Sequence, residues 1–310
     1  MTHGGLHNRV VLLRNGTFTL VNFGLLAATG GAAAMLLVLA RMFQAGMDPI
    51  RFAPLLFVLV PAAAVVGSRL LVVLLHEREA LVRAPLPTLL RPGFAFQGGF
   101  VVVTAGVLAV ALAYRLPLLT LLDCFVLGLP LAHAIGRIGC HSYGCCHGRP
   151  TRSRLAIRYT NPDSKAVWGS SLAGVPLHPV QLYSALGNLA LFALLNTVAL
   201  EPRAPGLLAA LYLLFGASGR FVTEYLRGIP TQRFLGLSAY QQLCVALFGC
   251  GLALLAVVCG TPPSAVLADV GGLADGLALA LHHAGYPALV FVIALLGFGL
   301  QGPRVGGRTG

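Results

Sequence analysis

Residues 136–150 read GRIGCHSYGCCHGRP, placing three cysteines, two histidines and two arginines in fifteen positions of an otherwise oily chain. Cys140, Cys145, Cys146 and His147 are potential metal ligands. Their C-x4-C-C-H spacing lacks the close C-x2–4-C pair of a structural zinc knuckle. Cys145 or Cys146 near Arg137 is also a setting for a thiol of lowered pKa, and Cys140 could reach one of them as a disulfide in an oxidising compartment. The third reading is a glycine-rich turn whose small residues pack while its backbone N–H groups face a phosphate. On that reading the stretch is the floor of an anionic site. Arg137 and the turn's backbone amides carry it, Cys140, Cys145 and Cys146 shape it, and neither a metal nor a cofactor is expected.

Other groups that could act with it are charges inside apolar runs, where an ionisable side chain is costly and marks function by default. Arg69 sits in VVGSRLLVV, and Arg220, Glu224 and Arg227 in GASGRFVTEYLRG. On a continuous helix 220, 224 and 227 share one face. Glu224 then neutralises one arginine and leaves the other for an anion; the plainer alternative is an ion pair with side chains snorkelling to the interface. Asp123, in TLLDCFVLG, is expected to pair with Arg69 or Arg137. The stretch HPVQLYSALGN brings His178, Gln181, Tyr183 and Asn188, with Gln181 and Asn188 on one face turned to the bundle interior. Guanidinium forks suit phosphate, so arginines gathered at membrane depth point to a phospholipid headgroup.

The elements that must position these groups are membrane helices. Of 310 residues, 57% are hydrophobic and 10% charged, with a mean hydropathy of +0.84; a soluble domain carries about 25% charged residues. The expected fold is an all-α integral membrane protein of seven to eight transmembrane helices around a polar loop at 138–178. Spans are read at 17–42, 53–76, 95–114, 117–137, 179–200, 206–226, 239–260 and 284–301, each of bilayer length. FAFQGGF (94–100) could instead form a re-entrant turn at Gln97, Gly98 and Gly99. Residues 1–260 read as one membrane domain, and 261–310 as an extension with an interfacial segment and an extra span. Cys124, Cys244, Cys250 and Cys259 lie in apolar runs and read as core residues. The net charge is +12, with Lys165 the only lysine. The arginines punctuate apolar spans, which argues against nucleic acid as a partner. No cleavable signal peptide is read. The positive-inside rule puts the 138–178 loop in the cytoplasm.

Six segments in order resemble one family, the prolipoprotein diacylglyceryl transferases. They are TLVNFGLLAATG (19–30), GSRL (67–70), FAFQGGF (94–100), LDCFVLGLPLAHAIGRIGCHSYGCCHG (122–148), HPVQLYSALGN (178–188) and GRFVTEYLR (219–227). The resemblance implies a bacterial inner-membrane enzyme. It would move a diacylglyceryl group from phosphatidylglycerol to the lipobox cysteine thiol of a prolipoprotein and release glycerol phosphate. It implies Arg137, Arg220, Glu224 and His178 as catalytic groups. It also implies a headgroup site of Arg69, Gln97, Gly98, Gly99, Arg137, Gly139, Cys140, Gly148, Gln181, Tyr183 and Arg227. Three positions depart from the family pattern. Gln97 replaces a histidine, Cys140 an asparagine and Phe23 a tyrosine. Either another base serves, among His133, His141, His147 and His178, or the chain is a lipid-binding or transport protein, or a transferase with another acceptor. The resemblance puts the 138–178 loop on the outer face, opposite to the charge rule.

Overall fold

Backbone N–H and C=O groups in hydrocarbon have to be satisfied within their own segment, so long apolar runs fold as helices. A computed structural model describes residues 6–15, 18–89, 96–228, 233–263 and 270–301. Helices α1 (Asn22–Gln44), α2 (Val60–His76), α3 (Arg78–Arg83), α4 (Pro85–Leu89), α5 (Phe96–Ala113) and α6 (Leu118–Tyr143) come first. They are followed by α7 (Lys165–Trp168), α8 (Val180–Val198), α9 (Leu207–Glu224), α10 (Ala239–Cys259), α11 (Val270–His282) and α12 (Gly285–Ala294).

Among the described residues, five helices are long and apolar enough to cross a bilayer: Asn22–Gln44, Leu55–Leu74, Leu118–Tyr143, Leu207–Glu224 and Ala239–Cys259. Gly272–His282 and Gly285–Gly299 together make a sixth if their 69° bend is one broken span. The expected seven to eight spans are thus not all matched one for one. In α8 the polar residues Gln181, Asn188 and Asn196 dilute a 19-residue helix, and the apolar part of α5 is the short Val102–Ala113. The first helix starts at Asn22 rather than 17, because Phe18–Val21 is a strand.

Strands β1 (Val11–Asn15) and β2 (Phe18–Val21) form an antiparallel hairpin, extended by β7 (Leu300–Gln301) on the β2 edge. Two smaller hairpins are β3 (Ile157–Arg158) with β4 (Pro176–Leu177), and β5 (Arg233–Phe234) with β6 (Leu237–Ser238). An Arg14–Asp163 ion pair of 2.8 Å ties the first hairpin to the loop after α6. These pieces cluster at one end of the bundle as a polar head.

Helix α1 packs directly on α6. A Cβ at Gly128 would stand 2.7 Å from the carbonyl oxygen of Ala34, so this close crossing requires glycine. On the far side of α6 lie α8 and α9, and α10 packs on α9. Helices α2 and α5 pair with each other, while α11 and α12 pack on α1. The main core joins Val38, Leu39, Phe52, Phe57, Leu121 and Cys124. Cys244 is buried too, but Cys250 and Cys259 are exposed, which corrects the core reading for those two.

Asp123 pairs with neither Arg69 nor Arg137. Its carboxylate accepts from the backbone N–H of Gly206 (2.8 Å) and of Ala209 (2.9 Å) at the start of α9. The first turn of a helix has free N–H groups and the positive end of the dipole, a better partner than a distant guanidinium.

Candidate active site

The C-terminal halves of α6 and α9 deliver their charges to the head end of the bundle. Helix α6 stops at Gly144, which takes a left-handed φ of 76° and donates its N–H to the carbonyl of Cys140. The chain then folds back, so residues 145–149 run across the ends of α8 and α9. The Gly148 N–H donates to His178 O (3.0 Å), and the Arg149 N–H to Leu226 O (2.9 Å). Gly148 and Arg227 form an antiparallel bridge. The signature turn is therefore bolted to the first residues before α8 and the last residues after α9.

Around this turn the arginines converge. Arg220 Nη1 lies 2.5 Å from Glu224 Oε2, and Arg227 Nε lies 3.8 Å from the same oxygen. Glu224 thus holds Arg220 closely and Arg227 loosely. Ser238 Oγ donates to Glu224 Oε1 at 3.4 Å, and the Arg220 guanidinium stacks 5.1 Å over the Tyr240 ring. Helix α9 ends at Glu224, so Arg227 is not on a shared helical face as the spacing suggested. It lies in the turn beyond, placed by its bridge to Gly148. Arg137 Nε donates to His133 Nε2 at 3.1 Å, one helical turn back on α6. Arg137, Arg220 and the Asn188 side chain all act on His133. The two arginines named from sequence on different helices therefore face a common space between α6, α8 and α9.

Cys140, Cys145 and Cys146 lie at the edge of that space. Hydrogen bonding from Cys140, then from Cys145, holds Cys146 well below the ordinary thiol value against the opposing effect of burial, with Arg227 and Arg137 adding positive field. Hydrogen bonding to Cys140 and Cys146, together with burial, pushes Cys145 up. The surroundings thus favour deprotonation at Cys146 over Cys145, with Arg227 and Arg137 near enough to contribute.

Other sequence candidates take different places. Gln181 is buried; its amide donates to the Cys145 carbonyl (2.8 Å) and to Tyr159 Oη (3.2 Å), so it braces the turn rather than facing a headgroup. The stripe on α8 does face α6, since Asn188 reaches His133 and Asn196 donates to Leu127 O. The His147 ring is buried between Gly148 O (3.1 Å) and Ser170 Oγ (3.3 Å), leaving it no spare nitrogen for a metal. His178 keeps a half-buried ring 3.5 Å from Tyr183 Oη. Arg69 is buried, and its guanidinium is taken up within the α2–α4 segment. It pairs with Glu77 at 2.6 Å and donates to the carbonyls of Thr88 and Leu89. Gly99 packs against Ser68 of α2. Gln97 and Gly98 fall in the first turn of α5, but the Gln97 side chain lies outside the described residues, as do residues 90–95. Phe23 stands against Tyr143, ring centroids 6.1 Å apart, at the head end of α1.

The sequence profile described as prolipoprotein diacylglyceryl transferase matches residues 10–257, most of the chain and every group in this cluster. The chain belongs to the prolipoprotein diacylglyceryl transferase family. It is 29% identical over 251 residues to phosphatidylglycerol–prolipoprotein diacylglyceryl transferase 2 of Clostridium perfringens, covering 79% of this chain and 94% of that protein. To the phosphatidylglycerol–prolipoprotein diacylglyceryl transferase of Bordetella parapertussis it is 33% identical over 210 residues, 64% of this chain and 75% of the relative. The family match ends before α11, so α11 and α12 lie beyond it.

Sequence reasoning passed over Ser238 and Tyr240, which hold Glu224 and Arg220. The signal was present. Ser238 caps α10 and forms a reciprocal pair with Gln241, the S-x-x-Q capping box. That box fixes the start of α10 and with it the position of the next-door Tyr240.

Proposed function

We propose that this integral membrane protein of the bacterial inner membrane is a phosphatidylglycerol–prolipoprotein diacylglyceryl transferase. The acceptor is the lipobox cysteine of a prolipoprotein signal peptide. The observation that carries the reading is the pair Arg220 and Arg227 on Glu224, at 2.5 and 3.8 Å, with Arg137 near enough to act on His133 and Cys146 beside them; Glu224 is the one carboxylate paired there among the described residues. Three cations against one anion leave positive charge for a phosphodiester, and guanidinium forks match its oxygens.

In the reaction the acceptor thiolate sulfur attacks the glycerol carbon of the diacylglyceryl group. A C–S bond forms, the C–O bond to phosphate breaks, and glycerol phosphate leaves with the electron pair. Charge grows on the leaving phosphate, where Arg137 and Arg227 are placed to hold it; such preorganised donors are a main source of rate. Arg220 is fixed by Glu224 and Tyr240 as the wall behind them. The thiol proton goes to a base. His133 already accepts from Arg137, so His178, beside the Gly148 bridge, takes that role. Cys140 and Gly148 form the floor, whereas Gly139, expected there from the family motif, packs against Phe23 and Leu26 of α1; Tyr183 orients His178. Gln97 and Gly98 remain assigned as headgroup contacts through the family resemblance, while Gly99 is taken up by its packing on Ser68 of α2.

The test is incubation of the purified protein with labelled phosphatidylglycerol and a lipobox peptide. Glycerol phosphate release with a lipidated peptide supports the reading. Phosphatidylglycerol binding without release would make the chain a lipid carrier instead.

A further inference from the structure

Three thiols gather beside the arginine cluster, and the transfer chemistry above consumes none of them. The Sγ atoms of Cys140, Cys145 and Cys146 all lie within 4.8 Å of one another, and all three cysteines are free. The sequence spacing alone did not foretell this, because it depends on two left-handed residues. Gly144 turns the chain back at φ 76°, and Cys146 itself adopts φ 56°, a conformation uncommon for a residue with a side chain. Gln181 pins the carbonyl of Cys145 from α8. Two separate helices and a turn thus hold the sulfurs together.

We propose that Cys140, Cys145 and Cys146 form a site for a thiophilic d10 cation, of which zinc(II) is the probe. A tetrahedral zinc ion with Zn–S bonds near 2.3 Å needs sulfurs about 3.8 Å apart, and the three sulfurs, all within 4.8 Å of one another, are at most about 1 Å wider than that. Soft thiolates select such ions over magnesium or calcium. Three thiolates on a dication carry a net charge of −1, and Arg137 and Arg227 are near enough to act on Cys146 and offset it. A vicinal Cys145–Cys146 disulfide is geometrically poor, and any disulfide here would need an external oxidant.

Three protein ligands leave a tetrahedral ion one position short, the pattern of reactive rather than structural zinc. A thiol fits that position and binds as thiolate, which is the form the acceptor cysteine takes in the transfer; this second step rests on the proposed function. The metal site itself does not.

The test is a titration of the full reduced chain in detergent with cobalt(II), followed by displacement with zinc(II). The expected result is one equivalent bound, with a sulfur-to-cobalt charge-transfer band, loss of that band in Cys140→Ser and Cys146→Ser, and zinc protection of the thiols from maleimide. Absence of saturable equimolar binding in the wild-type chain, with its thiols verified as free, overturns the site, as does binding unchanged in all three single Cys→Ser variants. In a second arm, a lipobox peptide shifts the cobalt spectrum and its Cys→Ser analogue does not. A spectrum indifferent to both overturns the thiol-holding role. Turnover of labelled phosphatidylglycerol is scored separately, so loss of the metal site and loss of the transferase reading are distinct results.

Discussion

Replacing Gly148 by alanine tests whether the bridge between the signature turn and Arg227 sets activity. A Cβ at this position would stand 2.5 Å from His178 Cβ, 2.6 Å from the His178 carbonyl oxygen and 2.7 Å from Val180 Cγ2. Ordinary carbon contacts are about 3.5–4.0 Å, so the turn or the start of α8 has to move by roughly 1 Å. Two of the three obstacles are backbone or Cβ atoms, which cannot swing aside. Overpacking of this kind costs about 1–3 kcal/mol, which lowers the melting temperature by a few degrees without unfolding the bundle. The larger effect falls on chemistry. Gly148 bridges Arg227, and its N–H binds His178 O, so the same shift displaces a phosphate-facing arginine and the proposed base together. Misplacement by about 1 Å can cost on the order of 100-fold in rate. The assay is glycerol phosphate release by purified Gly148→Ala in detergent, alongside its thermal unfolding. Gly187→Ala on α8 is the control, because nothing lies within 4 Å of a Cβ there; it should keep full activity and gain slightly in stability. A folded Gly148→Ala protein with near wild-type turnover would refute the claim that this bridge positions the site.

Asp123→Ala leaves two buried N–H groups at the start of α9 without an acceptor, each worth about 1–3 kcal/mol; thermal unfolding should show the loss, with KM for phosphatidylglycerol unchanged. Arg69→Leu should behave likewise, since its guanidinium is taken up by Glu77 and two backbone carbonyls; a raised KM without lost stability would restore it to the headgroup site. Glu224→Gln loosens Arg220 and should lower kcat more than it raises KM, read from initial rates over a range of lipid concentrations. Arg154→Cys, on the exposed loop after α6, should react with a membrane-impermeant maleimide added to intact cells; labelling only after lysis would place the loop in the cytoplasm.

The helices were legible because lipid leaves the backbone few alternatives, and a polar residue in an apolar run is conspicuous. Arg220 and Glu224 are legible by their spacing on α9, and Arg137 by its place at the head of the cysteine- and glycine-rich turn. What escaped was set by turns. No periodicity shows that α9 stops at Glu224, so Arg227 was drawn on a helical face it does not occupy. Nor does composition show that Gly144 reverses the chain, which is what gathers the three sulfurs. Asp123 was given an arginine partner because charge attracts attention, while the free N–H groups of α9 carry no letter in the sequence. Gln181 reads as a headgroup ligand only because the family motif HPVQLYSALGN carries it. Its true partners are the Cys145 carbonyl and a tyrosine 22 residues away in sequence, and such long-range satisfaction cannot be read from local pattern.

The claim that arginines within the bundle grip a phosphodiester is tested most directly by one rate. Glycerol phosphate release from labelled phosphatidylglycerol, with a lipobox peptide as acceptor, is compared between wild type and Arg137→Ala. Loss of one preorganised donor to a developing oxyanion costs about 100–1,000-fold in turnover, and that loss, in a protein that unfolds at the wild-type temperature, is the expected result. Turnover within a few-fold of wild type from the same variant would contradict the account.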